Sequence, residues 1–95
     1  MTVKQWNQGK KTALQSESQE LSSMIINNSL NQGTEKARQG DYQGAIEDFD
    51  RVLQLEPNCA KGYYNRGLAR YDLGSAQGAI EDFNKALKFD PNYAA

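Results

Sequence analysis

An all-α fold of two helix-turn-helix repeats is what this sequence predicts, on three observations. Residues Gly40 to Pro57 (GDYQGAIEDFDRVLQLEP) return as Gly74 to Pro91 (GSAQGAIEDFNKALKFDP) at a constant offset of 34 residues. The same offset pairs Gly33 with Gly67, Phe49 with Phe83, Leu53 with Leu87 and Asn58 with Asn92. Within each copy the apolar residues recur at helical spacing and do not alternate, which favours helices over strands. Glycines and prolines punctuate both copies at the same places and so set where the helices stop.

At 95 residues the chain is one small domain at most. Residues 1–22 form a polar N-terminal segment rich in Gln, Ser and Lys, in which Val3, Trp6 and Leu14 are the large apolar residues before Leu21. Such a composition buries too little surface to order itself. The segment is therefore expected to be disordered or partly an extension of the first helix. Trp6 is read as a local anchor onto the domain, because an indole brings a large apolar area to a polar tail. Asn7-Gln8-Gly9 echoes Asn31-Gln32-Gly33, but at the wrong spacing for the repeat.

Ser16 stands three residues before Gln19, the spacing of a capping box. From there Leu21, Ile25, Ile26, Leu30, Gly33 and Ala37 fall at helical spacing, so the first helix is predicted over about residues 17–39. Gly40 ends it by supplying a left-handed residue, and Asp41 caps the next helix. The second helix is predicted over 42–55, burying Ala45, Ile46, Phe49, Val52 and Leu53 on one face. Glu47 and Arg51 are placed to pair across one turn of its exposed face.

Pro57 forbids continuation, and Asn58 is predicted to cap a third helix reaching Asp72 or Leu73. Tyr63, Tyr64, Gly67, Leu68 and Tyr71 are its predicted buried set. A mid-helix glycine such as Gly67 costs about 1 kcal/mol relative to alanine, which close helix approach would explain. Gly74 and Ser75 repeat the turn, and the fourth helix is predicted over 76–89. Ala79, Ile80, Phe83, Ala86 and Leu87 form its core face, with Glu81 and Lys85 as its surface pair.

A period near 34 residues built from two helices is the signature of the tetratricopeptide repeat, or TPR. The chain resembles that family over roughly residues 26–93, with repeat 1 in 23–59 and repeat 2 in 60–95. The wording YYNRGLARYDLG is most similar to bacterial members. The resemblance implies antiparallel helix pairs stacked as a short right-handed solenoid. Tyr63 and Gly67 meet the family's aromatic and glycine positions, while Arg66 and Arg70 stand in an aliphatic and an aromatic slot. The first repeat has Ser29, Gln32 and Lys36 at the corresponding slots. Arg66 is expected to pack its stem against the partner helix and pair with Asp82, or failing that with Asp48.

Composition narrows the function classes. A net charge of −1, with acids and bases interspersed, leaves no phosphate-tracking stripe, so no nucleic-acid partner is expected. No apolar run approaches the roughly 20 residues needed to span a bilayer. Cys59 is the single cysteine, compatible with a reducing compartment, and the chain is read as cytoplasmic. It opens on methionine and is read as a complete natural chain. Without histidine there is no imidazole base or triad. The turn glycines lack the lysine and spacing of a phosphate loop, and no clustered metal ligands occur. Cys59 is read as a small residue between the repeats. The expectation is a non-enzyme without cofactor or metal.

The resemblance implies a concave groove lined by the first helix of each repeat and receiving a peptide or partner subunit. Asn27, Leu30, Asn31, Thr34 and Arg38 would line it from one repeat. Lys61, Tyr64, Asn65, Leu68, Tyr71 and Asp72 would line it from the other. An asparagine can bond both the amide and the carbonyl of a bound backbone, which suits a peptide. The family's carboxylate clamp draws on three repeats, and only Asn31 and Lys61 match part of it, so that function is not expected. Two other functions compete. One is self-association, as a homodimer, through an outer strip of Ile80, Leu87, Phe89 and Tyr93. The other is a regulatory subunit of a separate catalytic chain.

Overall fold

A computed structural model describes residues 3–93, with side chains described from residue 18 onward. Trp6 and its expected anchoring role lie outside the described side chains. Four helices follow one another: α1 (Val3–Arg38), α2 (Tyr42–Leu55), α3 (Ala60–Leu73) and α4 (Ala76–Phe89). α1 packs on α2, α2 on α3 and α3 on α4, so each helix chiefly contacts its neighbour in sequence.

α1 starts at Val3, well before the predicted residue 17. A capping-box sequence permits a start without forcing one. Serine, glutamine and lysine each cost at most a few tenths of a kcal/mol in a helix interior, and no proline interrupts the segment. The helix ends as predicted. Gly40 takes φ +88° and Gly74, the corresponding residue of the second turn, takes φ +99°, a region that L side chains avoid.

The Gly44 amide donates to Asp41 Oδ1 at 2.9 Å, which makes Asp41 the cap of α2. Its counterpart Ser75 forms no such bond at α4. At α3 the expected cap, Asn58, is displaced by one residue. Cys59 takes the N-cap position without a side-chain bond, and its amide donates to Glu56 O within the Pro57 turn. The Tyr63 hydroxyl donates to Pro57 O at 2.6 Å and ties that turn to α3.

The core lies between the helices of repeat 1 and the inner face of α3. Ala45, Ile46, Phe49, Val52 and Leu53 of α2 are all buried, as the periodicity predicts, and Leu30 and Ala69 join them from α1 and α3. Cys59 packs half-buried against this cluster. The predicted buried set of α3 needs correction. Gly67 is buried, with Gly62 and Ala69, while Tyr63 and Tyr64 are half-buried. Leu68 and Tyr71 are exposed. The apolar residues of α3 occupy two faces, and one of them is open.

Close approach accounts for the mid-helix glycines. A Cβ at Gly33 would lie 2.6 Å from Phe49 Cε1, and one at Gly67 would lie 2.7 Å from Phe83 Cε1. Overpacking costs roughly 1–3 kcal/mol, against about 1 kcal/mol regained from helix propensity. Gly33→Ala should therefore lower stability by about 1–2 kcal/mol, since buried Phe49 cannot retreat. Gly67→Ala should cost less, because Phe83 is only half-buried, although the Cβ of buried Asp82, 3.2 Å away, must also give by a few tenths of an ångström. Urea titration of both variants checks the order, and a Gly33→Ala protein more stable than the parent would refute the steric account.

Candidate functional site

Two regions stand out: a cleft on one side of the helices and an ion-pair cluster between α2, α3 and α4. The cleft, about 270 Å³, is lined by Thr34, Ala37, Arg38, Phe49, Asn65, Leu68, Ala69 and Asp72. α1 and α3 form its walls, and Phe49 of α2 reaches its floor between them. The repeat generates this arrangement: Thr34 and Leu68, and likewise Arg38 and Asp72, are 34 residues apart and so occupy equivalent helix positions.

Of the residues expected to line a groove, Thr34, Arg38, Asn65, Leu68 and Asp72 come together here. Asn27, Asn31 and Lys61 are exposed outside the cleft. Leu30 is buried in the core. Tyr64 turns to α4, its ring centroid 5.6 Å from Phe83 and 5.1 Å from Tyr93. Sequence reasoning missed the floor residues Ala37, Phe49 and Ala69. Phe49 reads as pure core because its ring is buried by α1 and α3 together.

The polar groups of the cleft differ in availability. The Thr34 hydroxyl donates to Leu30 O at 2.8 Å and so has no proton for a ligand. Arg38 has one long contact, 3.4 Å to Glu35 Oε2, with both side chains exposed, a pair worth little in water. Asp72 is exposed and belongs to none of the ion pairs among the described residues. Asn65 is half-buried and forms no side-chain hydrogen bond among them. Its amide keeps both donor and acceptor capacity.

In the ion-pair cluster, Arg66 donates from Nε and one terminal nitrogen to the two oxygens of Asp82, at 3.0 and 2.8 Å. Its other terminal nitrogen donates to Asp50 Oδ1 at 2.7 Å. Arg70 adds a bond of 3.0 Å to Asp82 Oδ2. The expected Arg66–Asp82 pair is present, and Asp50 takes the place of Asp48 as the second acceptor. Asp82 holds the Arg66 guanidinium above its ordinary pKa against the opposing effect of burial, and Asp50 reinforces it.

Repeat 1 has a weaker version. Lys36 Nζ lies 3.0 Å from Asp48 Oδ2 but off hydrogen-bond angle, so that oxygen has a charge partner without an aligned donor. Arg51 pairs with buried Asp48 at 3.0 Å instead of Glu47. The expected Glu81–Lys85 pair is likewise not among the ion pairs of the described residues. Lys85 Nζ lies 5.5 Å from the Tyr63 ring centroid instead.

The expected outer strip divides. Ile80, Leu87 and Phe89 are exposed. Phe89 also stacks on Tyr63, with centroids 5.7 Å apart. Tyr93 is half-buried against Tyr64, and burial raises its hydroxyl pKa.

Comparison with family profiles matches residues 30–94 to the tetratricopeptide repeat. The chain belongs to the TPR family. The match covers α2 to α4 and the end of α1, so the cleft-forming segments all fall inside it. A comparison with curated proteins finds no match. TPR repeats generally mediate protein–protein interaction and are typically non-catalytic. In this TPR chain, no helix among the described residues is long and apolar enough to cross a membrane.

Proposed function

We propose that the chain is a cytoplasmic protein-interaction module that seats a peptide or partner subunit in the concave cleft between α1 and α3. One observation carries this reading: a half-buried Asn65 without a side-chain hydrogen bond among the described residues, beside Leu68 and an apolar floor of Ala37, Phe49 and Ala69. A small apolar recess with few convergent polar groups is the usual form of a recognition site. Asn27, Asn31, Lys61 and Tyr64 then belong to the margin or support of the site, and Thr34, Arg38, Asn65, Leu68 and Asp72 to its centre. Binding needs no cofactor. Amide chemical shifts on adding partners captured from native extract test the reading. Perturbations at Asn65, Leu68 and Ala69 would support it, and perturbations confined to the opposite face around Glu47 and Glu81 would refute it.

A second reading, self-association through α4, rests on a separate observation. Ile46 and Leu53 are 7% and 9% exposed beneath α3, whereas Ile80 and Leu87 at the equivalent positions are 53% and 41% exposed. A homodimer about a two-fold axis would cover that face. Light scattering behind size exclusion decides, since the monomer mass is 10.6 kDa. If the dimer exists, Leu87→Glu should convert it to monomers. A parent protein that stays monomeric at high micromolar concentration would end this reading.

A further inference from the structure

We infer that the cleft selects a peptide by one aliphatic side chain flanked by opposite charges, an inference that rests on the proposed groove. Its volume of about 270 Å³ falls just below the range of pockets for drug-sized ligands. It has room for one aliphatic side chain. Ala37, Ala69 and Phe49 make the floor apolar, and Leu68 adds an exposed apolar wall. A leucine-sized side chain placed there covers the exposed surface of Leu68 and half-buried Ala37, with Phe49 and Ala69, each 1% exposed, as the packed backing beneath. Asn65 stands beside that position with its amide unpartnered, able to accept from and donate to the bound backbone.

Charge complementarity fixes the flanks. Arg38 and Asp72 come from equivalent positions of the two repeats, so they stand on opposite walls of the cleft with opposite sign. Neither is held in a strong intramolecular pair. An acidic residue on one side of the anchor meets Arg38, and a basic residue on the other meets Asp72. The repeat offset thus imposes a polarity: a chain crossing from α1 to α3 reads positive wall, apolar floor, negative wall. With the direction of the bound backbone set by its bonds to Asn65, a ligand with the reverse order meets like charge on both sides.

The test uses short, doubly blocked fluorescent peptides with Leu, Ser or Trp at the centre, each in both charge orders (Lys-X-Asp and Asp-X-Lys), titrated against the whole protein by anisotropy. The better leucine peptide should bind on the order of tenfold tighter than its serine analogue, and tryptophan should not rescue binding. One charge order should be preferred, and the double variant Arg38→Asp, Asp72→Arg should prefer the other. Both side chains are exposed, so the fold should be retained, with a small loss of melting temperature from the acid placed beside Glu35 in the last turn of α1. Equal binding of leucine and serine peptides, or an unchanged charge preference in the double variant, would overturn the inference. A random peptide library screened by the Asn65 and Ala69 amide signals separates the two levels. Library members of another pattern that move those signals overturn the side-chain rule alone. A library in which none moves them overturns the groove as well.

Discussion

Phe49→Ala is expected to remove about 3–5 kcal/mol of stability, the usual loss for a large side chain from a packed core. Few small domains have more than 5–15 kcal/mol in total, so the variant should be largely unfolded at 37 °C. Phe49 is 1% exposed, and its ring lies against the backbone of α1 at Gly33, where even a methyl group would collide with it. Backbone cannot collapse into the space that the ring leaves. Phe83→Ala should cost less, about 2–3 kcal/mol, although the two phenylalanines are equivalent in sequence. Phe83 is only half-buried, so truncation leaves a smaller cavity that water reaches from one side. Chemical denaturation with far-ultraviolet circular dichroism checks both. Cooperative melting of Phe49→Ala at the parent's midpoint would contradict the core assignment.

The same contrast shows how far the fold was legible. The apolar face of α2 could be read to the residue, because its neighbours α1 and α3 cover a single apolar stripe, although buried Asp48 beside that stripe was missed. α3 could not, since its apolar residues serve α2, α4 and an open cleft face at once. Leu68 and Tyr71 look like core by spacing and lie on the surface. At the start of α1, the capping-box sequence marked a permitted beginning, whereas the helix continues through residues that merely tolerate helix. Of the cleft, the wall residues followed from the repeat. The floor did not, because a residue's double duty as core and as cleft floor depends on how far two helices stand apart. Periodicity carries no such distance.

The surface pairs failed for a related reason. Glu47 and Arg51 have the ideal spacing for a helix-surface pair, yet Arg51 turns to Asp48, three residues away. An exposed pair is worth a few tenths of a kcal/mol, whereas a buried carboxylate without a partner costs several times more. Buried Asp48 therefore wins. Its burial was not evident, because a carboxylate inside a helical stripe looks like an interruption of the apolar face. The clue was present in pairs: Lys36 with Asp48 and Arg70 with Asp82 both recur at the repeat offset, so each basic residue in one of the family's apolar slots has a matching acid on a neighbouring helix.

Arg66→Ala should destabilise the protein by roughly 1–3 kcal/mol, less than Phe49→Ala but more than any other charge removal here. Asp82 is 1% exposed and accepts two of its three bonds from Arg66. Removing the arginine leaves that buried carboxylate with Arg70 alone, and the loss of one partner of a buried pair outweighs the net worth of the pair itself. Arg66 also reaches Asp50 of the preceding repeat, so the substitution loosens the α2–α3 contact as well as the α3–α4 contact. Its aliphatic stem is lost with the charge, from a side chain only 14% exposed. Lys36→Ala supplies the control. Lys36 is itself 42% exposed and its approach to Asp48 is off-angle, and Arg51 remains as a hydrogen-bonded partner. About 0.5–1 kcal/mol is expected there. Arg66→Gln gives the second repeat the residue that Gln32 supplies in the first, and should fall between the two. Urea midpoints in this order, with unchanged slopes, would establish Arg66 as the link between repeats. A loss of only a few tenths for Arg66→Ala would mean that water replaces the guanidinium at Asp82 and that packing alone holds the repeats together.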